Sequence, residues 1–314
     1  MNLKRCVIGL VFFTGFAIAG VQPIDFTKDE KTVVDQRINN VNDEFSTIVN
    51  QLNFNIDSSN PVPGANSGWV NGVPTITFTS SLLDVVFYTT ELAVLNMNDS
   101  KWGDCYVAYS GYLRTSYIDM MRQRENHVPV SPLIPLEKYG LSCEGIDKKY
   151  PFEGMLKTQR DQSAGNAISF IYLHELSHLF YRHMAFDTEK MSDSERQKAN
   201  CIIRKQEKDA DILAARKLVK FGWEGAALDV TIWMVMLNTG IIETSRNSNL
   251  DHPTALERMS YTLDEVRGAI LSSGGHVSRE MSEAIDEAKD LVKKADEQLG
   301  GKDDSANNVI TCKD

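Results

Sequence analysis

Three of the six histidines fall within the run His174-Glu175-Leu176-Ser177-His178-Leu179-Phe180-Tyr181-Arg182-His183. Its first five residues form H-E-x-x-H, set among apolar side chains that predict a buried helix. Histidines four apart project from one face of a helix, with Cβ atoms about 5–6 Å apart. Two imidazole nitrogens can then reach one zinc ion at about 2.0–2.1 Å each. Glu175 falls one step round the helix, beside the ion rather than on it, where a carboxylate can take a proton from an activated water. In a chain of this length and composition the pattern arises by chance about once in a hundred. We therefore read it as chemistry: hydrolysis assisted by one zinc ion per chain.

A catalytic zinc takes a third protein ligand and keeps one position for water. The run Glu207-Lys208-Asp209-Ala210-Asp211 offers it. Glu207 and Asp211 are four apart and share a helix face. Glu207 is the expected metal ligand. Asp211 is expected to accept the second ring N–H of a ligating histidine, fixing its tautomer. Small Ala210 would let two helices approach closely. The same acids also read as a solvated face within the charged run Arg204–Asp209,. Their place on a separate helix soon after H-E-x-x-H favours the ligand role.

A histidine third ligand in the longer H-E-x-x-H-x-x-G-x-x-H pattern would need Gly at 181 and His at 184, where this chain has Tyr181 and Met184. His183 would lie about 140° round a continuing helix from His178 and is expected outside the ligand set. His252, in Asp251-His252-Pro253-Thr254-Ala255-Leu256-Glu257-Arg258, stands beside a helix start that Pro253 suits,. It is a candidate catalytic residue, as an extra oxyanion donor, or a plain cap.

The elements that must position these residues are mostly helical. Lys28–Phe54 reads as a helix, and Ser58–Gly68 as a turn-rich connection,. Val73-Pro74-Thr75-Ile76-Thr77-Phe78-Thr79 reads as a strand; Pro74 cannot donate a ladder hydrogen bond, so it is expected at an edge or with a free margin,. Ser80–Met97 is an apolar helix. Residues 98–162 read as short helices and loops, an insertion or cap. Helical periodicity runs from Ala164 through His183. Ser192-x-x-Glu195 is a capping box that opens a helix ending near Phe221,. Residues 225–242 suit a core helix, another helix starts near Pro253, and a last one carries Met281, Ile285, Ala288, Val292, Ala295 and Leu299 along one seam that packs on the body,.

At 314 residues, 42% hydrophobic and 24% charged, the chain is an ordinary globular one,. Its net charge of −10 and lack of a basic stripe argue against nucleic acid as a partner,. Lys4 and Arg5, the apolar run Cys6–Phe16 and Ala17-Ile18-Ala19 predict a cleavable leader over residues 1–19, hence a secreted or periplasmic protein,. That run is short for a membrane span. Cleavage would leave Cys105, Cys143, Cys201 and Cys312, which allow three pairings or none,. Cys105 with Cys143 is the expected bridge, because both lie in one irregular segment.

HELSH followed by His183, then EKDAD, then DHPTALER, resembles the gluzincin peptidases of the HtpX and CaaX-prenyl-protease type. Ile76-Thr77-Phe78-Thr79-Ser80-Ser81-Leu82-Leu83 is similar to that family's strand and Leu-Leu helix. The spacing from HELSH to the glutamate is more like smaller gluzincins, including phage-exclusion peptidases of the Lit type. The resemblance implies zinc on His174, His178 and Glu207, Glu175 as base and a supporting Asp211. It also implies that His252 and Arg258 lie near the cleft, and that strand 73–79 pairs with an extended substrate backbone.

The expected protein is thus mainly α (α+β), zincin-like, with an active-site helix, a second ligand-bearing helix and a small sheet with an edge strand. One domain would span residues 20–300, with a tail over 301–314. The expected activity is zinc-dependent endopeptidase chemistry on protein or peptide substrates in the bacterial envelope, near a membrane but without a spanning helix in the mature chain. The competing readings are a cytoplasmic or membrane-associated host-defence peptidase and a zinc-binding, chaperone-like or inactive binding protein.

Overall fold

β-Branched and aromatic residues from Val73 to Thr79 do form a strand. The structure is a computed structural model that describes residues 45–144, 146, 154–187, 190–220, 253 and 255–279, and most residues of 281–290 together with 293. Among these, residues up to 179 make one compact unit and residues from 180 onward another. The expected leader, most of the expected 28–54 helix, the expected 225–242 helix, His252 and the tail lie outside the described residues; the described end of the first of these helices keeps one helical turn and gives way to a strand at Asn53.

In the first unit a single turn of helix, α1 (Ser46–Val49), leads into β1 (Asn53–Asp57), β2 (Ala65–Val70) and β3 (Val73–Thr79). The sheet order is β1-β3-β2, with β1 parallel and β2 antiparallel to β3. Strand 73–79 is therefore central, which corrects its expected place at an edge. Pro74 is tolerated for a geometric reason. Asn71 (φ +51°) and Gly72 (φ +80°) make a two-residue turn closed by the pair Val70 and Val73,. The next pair, Trp69 with Pro74, is then a non-hydrogen-bonded one, so the Pro74 nitrogen points away from β2,. On its other side β1 begins only opposite Thr75. Pro74 has a free margin inside a central strand. Because both sides of Thr75–Thr79 are taken, an extended substrate cannot add to this strand; among the described residues the outer sides of β1 and β2 are the edges without a strand partner,.

Thr79 ends the strand and starts the next helix. Its extended backbone (φ −83°, ψ 147°) leaves its hydroxyl to accept from the Leu82 N–H at 3.2 Å, an N-cap for α2 (Ser80–Asn98),. Leu82, Leu83, Val85, Val86, Leu92, Val94 and Leu95 are buried on several sides of α2, as suits a core helix,.

Residues 98–162 hold a longer element than expected. A helix of 23 residues, α3 (Gly103–Glu125), occupies the middle of that stretch. Tyr106, Tyr109, Leu113 and Met120 are its buried face, at spacings of three, four and seven,. The segment after it is tied back by side chains. Tyr109 Oη donates to the Ile134 carbonyl at 2.7 Å, and the Ile134 N–H donates to Tyr112 Oη at 2.7 Å. Cys105 and Cys143 are joined by a disulfide, as expected.

α4 (Gly154–Tyr181) starts ten residues before the expected Ala164 and ends two before His183. Phe54 of β1 packs edge-on against Phe78 of β3 and Tyr172 of α4, with centroids 5.3 and 6.3 Å away. The sheet thus rests on the helix that carries H-E-x-x-H.

The second unit contains α5 (Asp193–Lys220) and α6 (Ala255–Ser272). One half of the expected capping box opens α5: the Ser192 N–H donates to Glu195 Oε2 at 3.0 Å, and the Ser192 hydroxyl donates to the same oxygen at 2.6 Å,. The expected last seam packs on α6 where it is described. Met281 and Ile285 are buried, Arg267 donates to Asp286 at 2.7 Å, and Lys289 to Asp264 at 2.5 Å. Together the elements make a mainly helical α+β protein, with one small mixed sheet among the described residues. Among the described residues no helix is long and apolar enough to cross a membrane.

Candidate functional site

α4 is buried all round from Ala167 to Ser177. Such a helix must hide its polar side chains, and it does so locally. Ser169 and Ser177 return their hydroxyls to the carbonyls of Gly165 and Leu173, at 2.7 and 2.6 Å,. His174 and Glu175 are buried as well, at 7% and 8% exposure. His178 is half-buried. The Phe170 ring stacks on His174 from one turn below, 25° from parallel.

The Nε2 atoms of His174 and His178 lie 3.0 Å apart. Nitrogens this close are either a donor meeting an acceptor or two lone pairs aimed at one cation. The second arrangement is what a metal asks of two imidazoles at i and i+4.

The helix then stops. Arg182 takes a left-handed backbone (φ +51°), which a side-chain-bearing residue adopts only where the chain turns. His183 consequently lies beyond the helix, its ring stacked on Tyr181 at 5.4 Å. It leaves the helix face of His174 and His178 because the helix ends, not because the helix carries it round.

On α5 the buried positions include Glu207, Asp211, Ala214 and Leu218, a stripe at spacings of four, three and four, with buried Ala210 beside it,. Glu207 is 7% exposed and Asp211 is 0% exposed. The solvated-face reading of this acidic run fails for these two, while Lys205 and Asp209 do pair on the outer face at 2.6 Å. The Gln206 carboxamide, with its nitrogen toward the Met184 carbonyl (3.1 Å) and its oxygen toward the Met184 N–H (2.9 Å), ties the residue before Glu207 to the chain that follows α4.

Both oxygens of Asp211 are engaged from α6. Arg258 Nε donates to Oδ2 and Nη2 to Oδ1, each at 2.8 Å, and Tyr261 Oη donates to Oδ2 at 2.6 Å. Burial works against the Arg258 charge, but the carboxylates of Asp211 and Glu207 outweigh it and push its pKa up. Burial also raises the Tyr261 hydroxyl, and the Asp211 charge raises it further, so it stays a donor,.

Two imidazoles and a carboxylate, the set His174, His178 and Glu207, could hold a metal ion. His252, the remaining candidate, lies outside the described residues. Sequence reasoning missed Tyr261 and Gln206. Tyr261 sits three residues after Arg258, and so on the same face of a helix; that spacing was the available signal.

Comparison with known proteins bears on the same interval. A model of the family described as Peptidase U49 matches residues 161–272, which take in H-E-x-x-H, Glu207, Asp211, Arg258 and Tyr261. No curated protein and no solved structure matches the chain. The region that carries the candidate residues thus resembles a peptidase family, which suggests peptidase activity.

Proposed function

We propose that this protein is a zinc-dependent endopeptidase of the gluzincin kind, with His174, His178 and Glu207 as ligands to one ion, Glu175 as general base and Asp211 in support. The observation that carries the reading is the convergence of His174 and His178 Nε2 at 3.0 Å beside a buried Glu175. Two nitrogens and one carboxylate oxygen are the donors of a catalytic zinc that keeps a position for water. The Peptidase U49 match over residues 161–272 supports a peptide substrate.

A bound zinc ion would supply the positive charge that acidifies water and polarises a peptide carbonyl. Glu175 takes the proton from the attacking water and passes it to the leaving nitrogen as the C–N bond breaks. Burial of Glu175 excludes competing solvent from that transfer. His252 stays a candidate oxyanion donor. The expected leader and the Cys105–Cys143 disulfide support an oxidising compartment such as the bacterial envelope,.

The test is metal analysis of the purified protein together with a peptide-library digest, on wild type and Glu175→Gln. The variant is expected to keep its zinc and to lose at least about 100-fold in hydrolysis. A zinc-loaded Glu175→Gln protein with full activity would end the proposal. Sequencing the N-terminus of the exported protein tests the leader separately.

A further inference from the structure

We propose that Tyr261 is a positioning residue: with Arg258 it clamps Asp211 and so fixes the rotation of α5 that sets where the Glu207 carboxylate stands. This inference rests on the reading of Glu207 as a metal ligand.

Asp211 lies one turn beyond Glu207 on α5 and is 0% exposed. A carboxylate so buried is tolerated only where its oxygens meet donors. Three donors from α6 meet it, at 2.8, 2.8 and 2.6 Å. Arg258 and Tyr261 are three apart and grip it as a fork and a single prong. Rotating α5 by one residue, about 100°, would carry Asp211 away from both and break all three of these bonds to a buried charge. The clamp therefore selects one rotation, and Glu207, four residues away on the same face, inherits it.

The surroundings make the contact close and specific. Ala210 and Ala214 are 0% exposed, so the buried stripe of α5 has small side chains beside the acids. Lys208 Nζ stands 5.8 Å from the centre of the Tyr261 ring and covers it,. Arg258 alone would satisfy the charge of Asp211. The Tyr261 hydroxyl adds a third contact from the next turn of α6, 2.6 Å from Oδ2.

The experiment is titration of the metal-free full chain with cobalt(II), followed by visible absorption, for wild type, Tyr261→Phe and Arg258→Lys, alongside urea unfolding of each metal-free protein. Tyr261→Phe is expected to weaken cobalt binding about tenfold and to shift the visible band. Arg258→Lys, which keeps the charge but loses the fork, is expected to do the same and stands in if Tyr261→Phe does not fold. Wild-type affinity and spectrum in a folded variant, with only a lower unfolding midpoint, would overturn the proposal and leave Tyr261 a merely structural residue. Failure of the wild-type chain to bind cobalt would overturn the metal reading itself, and is seen before any substitution is compared.

Discussion

His174 and His178 turn their Nε2 atoms to within 3.0 Å of each other, with ring centroids 4.7 Å apart and planes 67° from parallel. Crossed rings let two lone pairs meet at a point without the rings colliding. If that point holds an ion, each ring is indispensable to it. Changing either His174 or His178 to Ala should lower zinc affinity on the order of a hundredfold or more, measured by competition with a chromogenic chelator. An affinity held within about threefold of wild type in either variant would place the ion elsewhere.

Asp211 and Arg258 make the second prediction. Removing one partner of a buried ion pair strands the other, a loss of about 3–5 kcal/mol for a fully enclosed pair. Arg258 keeps 19% of its side chain exposed while Asp211 keeps none. Arg258→Ala, which strands the more deeply buried partner, should therefore cost about 3 kcal/mol, the low end of that range. Urea unfolding of the metal-free protein checks it; a loss under about 1 kcal/mol would mean that the remaining partners of Asp211, Tyr261 among them, satisfy it unaided.

The parts of this protein legible in the sequence are those with local causes. H-E-x-x-H, the Ser192 cap, the α2 helix and the Cys105–Cys143 bridge each depend on residues near one another or on one strong chemical preference. What escaped depends on partners far along the chain. β1 is Asn53-Phe54-Asn55-Ile56-Asp57, whose Asn and Asp residues disfavour strand,; it forms because Phe54 packs on Phe78 and Tyr172. β3 looked like an edge because Pro74 cannot donate, and only the register with β1 shows that no donor was needed there. α3 is hard to see in the sequence because charges interleave with Tyr106, Tyr109 and Leu113, although those three share a buried face. At the site, Glu207 was found by its spacing from Asp211, but the partners of Asp211 lie about fifty residues downstream. Only the folded chain brings Tyr261 to it.

The disulfide gives a third prediction. Cys105 and Cys143 enclose a loop with a sequence separation of 38, and a bridge across a loop of that size contributes about 2–4 kcal/mol. A Cys105→Ser, Cys143→Ser double variant should lose that much by urea unfolding. The Tyr139 ring packs against Tyr109 and Tyr112, with centroids 5.0 and 5.1 Å away, and these contacts should still hold the 128–139 segment, so protease cleavage there should rise only modestly. Wild-type stability in the double variant would show that those contacts alone secure the segment.

The turn between β2 and β3 gives a fourth. A Cβ on Gly72 would meet nothing within 4 Å, and so would one on Gly68. Only Gly72 has a left-handed backbone, at φ +80°. Gly72→Ala should therefore destabilise the protein by about 1 kcal/mol through backbone strain alone, while Gly68→Ala should be neutral or slightly stabilising. Equal effects at the two positions would refute the turn geometry, and with it the pairing that leaves Pro74 harmless.

Glu195 gives the fifth, through pH. The Ser192 hydroxyl and N–H both donate to its carboxylate and hold its pKa below the ordinary 4.5. A carboxyl whose pKa is lower in the folded chain stabilises it above the unfolded value, and that contribution disappears as pH falls through the folded value. The first turn of α5 should therefore hold above about pH 4.5 and fray as the solution is made more acid. Amide hydrogen exchange at residues 193–196, followed from pH 6 down to pH 3 and corrected for the intrinsic rate, reads this directly. In Ser192→Ala the same amides should exchange faster at pH 6 and show a weaker acid transition. Exchange that ignores Glu195 protonation in the wild-type protein would mean that the cap closes in the structure but contributes nothing to holding the first turn of α5.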